Sequence, residues 1–285
     1  MPVWRSLLVL PVLAGCVAAP PACPPPGAWL SPANLQPVAD PVPAASHRAV
    51  VLLGEQHDSV ADHHWELATI ERLYANNPTL ALGFEMFPRS KQAVLDAWVR
   101  GELSEDAFLA QSDWKHVWGF DAGFYLPIFR FARQHAIPML ALNVSRHLVH
   151  LVATQGWQSI APALREGVGD PAPAGAAYAA SLKEAMSGHG GAAMGGPAMT
   201  PERLRHFIEA QLLWDRAMAE AIAAERARAP GLTVVAIMGA GHLQNRNGVP
   251  HQLAALGVPD PVVLLPEHAA CAPLGPFYAD AIYTD

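Results

Sequence analysis

Short apolar runs separated by amphipathic stretches dominate the chain from residue 49 onward. Five of these runs are typical of strands buried on both faces, and they span residues 49–53, 80–84, 137–142, 232–238 and 262–265. Helical spacing of apolar positions fills most of the intervals between them. Strands that alternate with helices favour parallel pairing with right-handed crossovers. The pattern predicts an α/β fold: an open parallel sheet of four to five strands flanked by helices.

A long stretch between the third and fourth runs carries no strand signal. Helical patterns cover three parts of it, at residues 145–154, 175–187 and 200–228. Thr200 is a good capping residue for the last of these helices. Residues 146–229 are therefore predicted to form a small all-helical insert domain. Residues 47–145 and 230–285 are predicted to form the larger α/β domain.

Residues 1–16 have the features of a bacterial lipoprotein signal peptide. Arg5 precedes a run of eight apolar residues, far fewer than the ~20 that a transmembrane helix needs. The run leads into Leu13-Ala14-Gly15-Cys16, which matches the lipobox in which the cysteine is lipidated. This predicts a mature chain outside the cytoplasm, anchored to a bacterial membrane that we take to be the outer membrane. The alternative is an ordinary cleaved signal peptide.

The segment after the lipobox is rich in proline. Residues 17–46 are therefore predicted to form a stiff, extended spacer between the membrane and the folded body.

Two further cysteines remain once Cys16 is assigned to lipidation. They are Cys23 and Cys271, one near each end of the mature chain. Because thiols outside the cytoplasm tend to oxidise, the pair is predicted to form one disulfide. The alternative is a mobile Cys23 in the spacer and a small, buried Cys271.

Composition narrows the class of protein. Of the 285 residues 52% are apolar and 15% are charged, which excludes an intrinsically disordered chain. The formal net charge of −7 argues against a nucleic-acid partner, because such proteins carry a basic surface. Thirteen histidines are many for this length and indicate ligand chemistry.

Polar residues follow four of the predicted strands. Glu55 and His57 come after the first, Glu85 after the second, Asn143 after the third and His242 after the fourth. In open parallel sheets ligands bind beyond the carboxyl ends of the strands, which all lie at one edge. Each residue alone is compatible with capping or packing. Together they predict a shared pocket.

Two predicted helices add polar residues to this pocket. His63 lies on the apolar stripe of the helix over residues 60–76, in its first turn. Gln211 and Asp215 lie within an apolar seam of the helix over residues 200–228. Burial of a carboxylate is costly unless it is paired or used, so the alternative for Asp215 is a structural ion pair that holds the insert to the sheet.

Several segments resemble the ChaN haem-binding uptake lipoproteins of the Tiki superfamily. They are residues 52–73, 83–87, 140–149, 209–222 and 239–250. The most specific part is a pair of Gly-x-x-His motifs, Gly54 to His57 and Gly239 to His242, together with Glu85. The first motif departs from the His-x-Asn-Pro that is commoner in that family.

The resemblance implies a lipid-anchored haem binder that serves bacterial haem-iron uptake. It also implies haem held between the α/β domain and the helical insert through a tyrosine, whose anionic oxygen suits ferric iron. Tyr178 is the tyrosine in the insert, so it is the candidate ligand; the alternative is an ordinary tyrosine of an amphipathic helix. The implied partners are haem, the membrane, a haem receptor or transporter, and a second copy of the chain in a homodimer.

A second class of function comes from other branches of the same superfamily. Tiki and TraB proteins use two Gly-x-x-His motifs and a glutamate as a metal-dependent hydrolytic site. In that hypothesis His57, Glu85 and His242 hold a divalent metal ion, and Glu55 acts as general base. A third hypothesis makes the polar cluster a structural hydrogen-bonded network in a lipoprotein scaffold.

Overall fold

A mostly parallel sheet organises the chain in the computed structural model, which describes residues 23–188, 200–268 and 270–284. Within these residues the sheet has seven strands, in the order β1-β7-β6-β2-β5-β3-β4. The strands are β1 (Trp29–Leu30), β2 (Val50–Glu55), β3 (Leu80–Pro88), β4 (Met139–Asn143), β5 (Thr233–Gly239), β6 (Val262–Pro266) and β7 (Ala281–Tyr283). Only β1 runs antiparallel to its neighbour. The predicted α/β class is confirmed.

Helices connect the parallel strands. The α-helices are α1 (Val42–Ala45), α2 (Val60–Asn76), α3 (Gln92–Val99), α4 (Glu105–Ser112), α5 (Trp114–Val117), α6 (Ala122–Gln134), α7 (Arg146–Gln155), α8 (Ala176–Gly188), α9 (Pro201–Arg228) and α10 (Val249–Ala255). Short 3₁₀ segments occupy Arg89–Lys91, Trp157–Ser159, Pro162–Leu164, Ala240–His242 and Gln244–Arg246. Side chains cap several helix starts, as Ser59 does for α2 by accepting a hydrogen bond from the Asp62 amide.

The five central strands lie where the apolar runs predicted them, and two short strands extend one edge of the sheet. Both β1 and β7 have only two or three residues, too few to give a period in the sequence. The predicted spacer over residues 17–46 is wrong for its second part. Leu30 and Val42 are buried in the core, because β1 pairs with β7 and α1 packs against α2.

Each face of the sheet is covered by a different hydrophobic layer. Helices α2, α3 and α6 cover one face with an aromatic core, to which Phe84, Trp98 and Phe129 contribute. Helices α9 and α10 cover the other face with smaller aliphatic side chains. Burial on both faces explains why the central strands are uninterrupted apolar runs.

Between β4 and β5 the described residues form helices and loops. Helices α7 and α9 pack together around a small core of their own. The second half of α9, however, packs on the sheet through Met218, Ala219 and Ile222. The predicted boundary at residue 229 thus divides a continuous hydrophobic core, because α9 packs with α7 and α8 mainly through residues up to Ala217 and on the sheet from Met218 onward.

The two ends of the described chain lie side by side. A disulfide joins Cys23 and Cys271, whose Cα atoms are 4.6 Å apart. Beside it, Thr284 accepts a hydrogen bond from the Ala28 amide. The predicted lipidation site, Cys16, lies outside the described residues. Every helix within those residues is too short or too polar to traverse a bilayer.

Candidate functional site

The carboxyl ends of four adjacent strands, β2, β5, β3 and β4, meet at one edge of the sheet. Glu55 and Asn143 are the last residues of β2 and β4, and Gly239 is the last residue of β5. The register between β3 and β4 is irregular from Phe84 to Pro88, and Glu85 lies within this irregularity. Parallel pairing therefore places all the predicted strand-end residues at the same edge.

A cavity of about 710 Å³ opens above these strand ends. We call it the strand-end cavity. Its lining combines strand ends with residues of α5, the loop after α5, and α7: His57, Glu85, Met86, Pro88, Ser90, Lys91, Asp113, His116, Val117, Trp118, Phe120, Asn143, Val144, Ser145, Arg146, Val149, His150, Trp214 and His242. The volume falls within the range of roughly 300–1,000 Å³ that is typical of sites for small molecules and cofactors.

His57 and Glu55 form the first of two histidine–carboxylate pairs at the cavity. Nδ1 of His57 lies 2.6 Å from Oε1 of Glu55, which also accepts a hydrogen bond of 3.0 Å from the Tyr125 hydroxyl. Burial raises the pKa of Glu55. Burial alone would lower the pKa of His57, but the hydrogen bond to Glu55 and the charges of Glu55 and Glu85 raise it. The pair orients the imidazole so that its other edge faces the cavity.

His242 and Asp215 form the second pair. Nδ1 of His242 lies 2.6 Å from Oδ1 of Asp215, and its Nε2 lies 3.4 Å from Oε1 of Glu85. Burial opposes protonation of His242, but the charges of Glu85 and Asp215 outweigh it and raise the pKa of His242 to about 10. At neutral pH this side chain is therefore an imidazolium held between two carboxylates.

Glu85 is the carboxylate that faces both histidines. Burial alone would raise its pKa, but the charge and hydrogen bond of His242 lower it below its ordinary value. Its other oxygen, Oε2, accepts a hydrogen bond of 2.7 Å from the Gly239 amide. A Cβ atom on Gly239 would lie 2.8 Å from Cε1 of His57, so the second Gly-x-x-His motif needs glycine for this close approach.

Four predicted pocket residues do not line the cavity. Glu55 and Asp215 lie behind the two histidines that they orient, and His63 lies behind Glu55, with its Nδ1 3.1 Å from Oε2 of Glu55. Gln211 is half-buried on α9, away from the cavity lining. Only His57, Glu85, Asn143 and His242 of the predicted set reach the cavity.

Tyr178, the predicted haem ligand, is also placed elsewhere. Its side chain is only 3% exposed, and its hydroxyl donates a hydrogen bond of 2.8 Å to Oδ2 of Asp215. Burial and the charge of Asp215 raise the pKa of its phenol, which disfavours the tyrosinate form. Among the described residues that line the cavity, none is a tyrosine. Tyr178 therefore supports the His242–Asp215 pair and does not line the strand-end cavity.

The metal ligands predicted by the hydrolase hypothesis are not the residues whose potential ligand atoms lie nearest one another in the structure. Within the described residues, the ligand atoms that all approach within 4.8 Å of one another belong to Glu55, His63 and Glu66. In the predicted set of His57, Glu85 and His242, Nε2 of His242 lies 3.4 Å from Oε1 of Glu85, but the three residues together do not meet that limit. Glu55, the predicted general base, is buried and hydrogen-bonded to His57 and Tyr125.

The outer wall of the cavity was absent from the sequence-based prediction. It consists of two cations, two aromatic residues, two histidines and one carboxylate: Lys91, Arg146, Trp118, Phe120, His116, His150 and Asp113. Residues 113–120 concentrate two tryptophans, a histidine, a lysine and a phenylalanine in a segment too short for a clear amphipathic period. That density of aromatic and cationic side chains in a connecting segment was the available signal.

The structure thus combines an α/β sheet with a cavity of cofactor size at its carboxyl edge and two histidine–carboxylate pairs beside that cavity. Residues 42–253 match the family described as haem-binding uptake, Tiki superfamily, ChaN, and the chain belongs to that family. This confirms the resemblance found in the sequence.

Solved structures of other proteins share the fold. The chain is similar to ChaN of Campylobacter jejuni, described as binding haem cofacially, with 17% identity and a TM-score of 0.69 over 90% of this chain and 95% of that one. It is also similar to a mutant of erythromycin esterase EreC in its open conformation, with 12% identity and a TM-score of 0.50 over 88% of this chain and 81% of that one. No curated protein matches the chain significantly.

Proposed function

We propose that this protein binds haem in the strand-end cavity and serves bacterial haem-iron uptake as a lipid-anchored accessory. The observation that carries the proposal is the cavity itself, which is large, walled by aromatic and aliphatic side chains, and flanked by cations and imidazoles. Family membership supports the same ligand. The comparisons do not favour the metal-dependent hydrolase hypothesis.

The cavity lining fits the chemistry of haem. Haem is a flat apolar macrocycle with two carboxylates at one edge and a metal that accepts an axial ligand. Val149, Trp118 and Phe120 offer apolar surface for the ring. Lys91 and Arg146 are lining cations suited to the propionates. Buried apolar contact supplies most of the affinity in such a site, and the cations fix the orientation.

We propose His116 as the axial ligand in place of Tyr178. Its Nδ1 lies 2.6 Å from Oδ1 of Asp113, and both residues line the cavity. Histidines that bind metals usually give their other ring N–H to a carboxylate, which leaves Nε2 for the metal. The side chain of His116 is 75% exposed and therefore accessible to iron. By contrast, His242 has carboxylates at both ring nitrogens.

A haemin titration of the purified protein tests this arrangement. We expect His116→Ala to shift the Soret band and to weaken binding by more than the roughly 10-fold loss expected for Asp113→Asn. The matched control is His147→Ala, because His147 is an exposed histidine of α7 outside the cavity lining. Tyr178→Phe should leave the spectrum of the ferric complex unchanged. A wild-type spectrum and affinity in His116→Ala would exclude His116 as ligand.

We propose that Cys16 carries the lipid anchor. The lipobox sequence and its position behind Arg5 support this. Metabolic labelling with a fatty acid should mark the wild-type protein, whereas Cys16→Ser should be unlabelled and should leave the membrane fraction. Labelled Cys16→Ser protein would contradict the proposal. A haem receptor or transporter and a second copy of the chain remain the proposed partners.

A further inference from the structure

A closed cluster of three ionisable residues lies beneath the strand-end cavity. Nδ1 of His63 is 3.1 Å from Oε2 of Glu55 and 3.0 Å from Oε2 of Glu66. The side chains of both glutamates are 0% exposed and that of His63 is 2% exposed. Glu55 ends β2, and His63 and Glu66 share one face of α2, three residues apart. The cluster thus joins α2 to the end of β2.

Both ring nitrogens of His63 have oxygen partners. Nε2 lies 3.3 Å from the backbone carbonyl oxygen of His57, which can only accept a hydrogen bond, and Nδ1 is within hydrogen-bond distance of Oε2 of Glu66. When the ring hydrogen is on Nε2, Nδ1 presents a lone pair toward two carboxylate oxygens. Three donor atoms that converge in this way are the arrangement that a bound cation requires. Histidines that bind metals commonly show this contact of the second ring nitrogen with a backbone carbonyl.

Hydrogen bonding within the cluster is incomplete. Oε2 of Glu55 and Oε1 of Glu66 are buried, and neither has a hydrogen-bond partner among the described residues. Oε2 of Glu55 has no hydrogen-bond partner even though it lies 3.1 Å from Nδ1 of His63. A proton on Nδ1 would give one hydrogen to two carboxylates, so it would satisfy only one. Buried carboxylate oxygens without partners are costly, and a cation bound by both carboxylates would offset that cost.

The spacing of the ligand atoms suits a coordinated metal ion. Zinc binds nitrogen and oxygen ligands at about 2.0–2.2 Å, which places neighbouring ligands of a tetrahedral ion about 3.3–3.6 Å apart. The distances from Nδ1 of His63 to the two carboxylate oxygens are 3.1 and 3.0 Å, so a small outward movement of the side chains would admit the ion. Two carboxylates and a divalent cation also sum to zero charge. One imidazole and two carboxylates form a ligand set of the kind that Zn²⁺ and Mn²⁺ accept.

We infer that Glu55, His63 and Glu66 form a buried site for a divalent transition-metal ion, separate from the haem cavity. The ion would fasten α2 to the carboxyl end of β2, directly behind His57. Because the cluster is closed to solvent, the ion would be taken up as the chain folds. The inference does not depend on haem binding, since no atom of this cluster lines the strand-end cavity.

Metal analysis of the haem-free protein tests the site. The full mature chain is unfolded and refolded with Zn²⁺ or Mn²⁺, dialysed against a weak chelator, and analysed by mass spectrometry of its metal content. We expect about one ion per chain and a higher melting temperature than for protein refolded with chelator. His63→Gln and Glu66→Gln should lose the ion. Their matched controls, His64→Gln and Glu71→Gln, alter exposed residues of the same helix and should retain it.

X-ray absorption of the zinc-loaded wild type provides a measurement that does not rely on the folding of any variant. It should show one imidazole nitrogen, oxygen ligands and no sulfur. Wild-type protein that retains no ion, or retention by His63→Gln and Glu66→Gln equal to that of the controls, would overturn the inference. Haem titration of the same samples is an independent measurement, so the proposed haem function stands or falls separately.

Discussion

Replacing Asp215 by alanine should lower the free energy of unfolding by about 3–5 kcal/mol near pH 6, the usual effect of breaking a buried ion pair. Asp215 is fully buried, and its two oxygens accept from different partners. Oδ1 lies 2.6 Å from Nδ1 of His242, and Oδ2 accepts the hydrogen bond of Tyr178. The substitution therefore leaves a buried imidazolium and a buried hydroxyl without their acceptor.

The pH dependence of the free energy of unfolding distinguishes the effect of the Asp215 charge from the effect of its side-chain volume, because asparagine keeps the volume and removes the charge. The pKa of His242 is about 10 in the folded protein and about 6.5 in an unfolded chain. The folded state therefore binds the extra proton between these values, and stability from this source is fully present below pH 6.5 and is lost as the pH rises toward 10. In Asp215→Asn the folded pKa of His242 should fall, so the loss should be complete at a lower pH.

Urea unfolding at pH 6, 8 and 10 measures both effects. Glu105→Gln is the control, because Glu105 pairs with Arg130 on the exposed surface, and we expect it to leave the stability at each pH unchanged. An Asp215→Ala protein as stable as the wild type, or an unaltered pH profile in Asp215→Asn, would show that His242 does not depend on Asp215 for its charge.

The central sheet and the strand-end residues could be predicted because they follow from local rules. Buried parallel strands need uninterrupted apolar runs, and their carboxyl ends must meet at one edge. Glu85, Asn143 and His242 reach the cavity for that reason. The edge strand β1 could not be predicted in the same way, because its pairing with β7 joins residues more than 250 positions apart in the chain.

The hydrogen-bond partners of the buried polar residues could not be predicted from the sequence. Spacing placed Asp215 in an apolar seam, but it could not show that Asp215 would meet both His242 and Tyr178, which lie on different elements. Tyr178 was predicted as a haem ligand because the family resemblance implied a tyrosine and Tyr178 is the tyrosine of the insert. Its burial depends on how α8 packs against α9, and that packing is set by tertiary contacts. His116 and Asp113 lie in a short connecting segment, where periodicity carries little information.

Reduction of the Cys23–Cys271 disulfide should produce the other large loss of stability. The two cysteines are 248 residues apart in sequence, and chain entropy alone predicts a stabilisation of ~5 kcal/mol for a loop of that length. The bond also holds residues 23–28 beside Thr284 and the last strand. Without it, only the short pairing of β1 with β7 and the hydrogen bonds to Thr284 hold residues 23–28 at this edge, and such short strands contribute little.

Unfolding of a Cys16→Ser protein, with and without Cys23→Ser and Cys271→Ser, measures the effect of the disulfide free of the lipid anchor. We expect a loss of about 2–5 kcal/mol, since cross-links often stabilise by less than the entropy value. Hydrogen exchange should increase at the amides of Gly27 and Ala28, which donate to Thr284, and should stay low in the central strand β5. A loss below 1 kcal/mol with unchanged exchange at Gly27 and Ala28 would mean that strand pairing, and not the cross-link, fixes the ends of the fold.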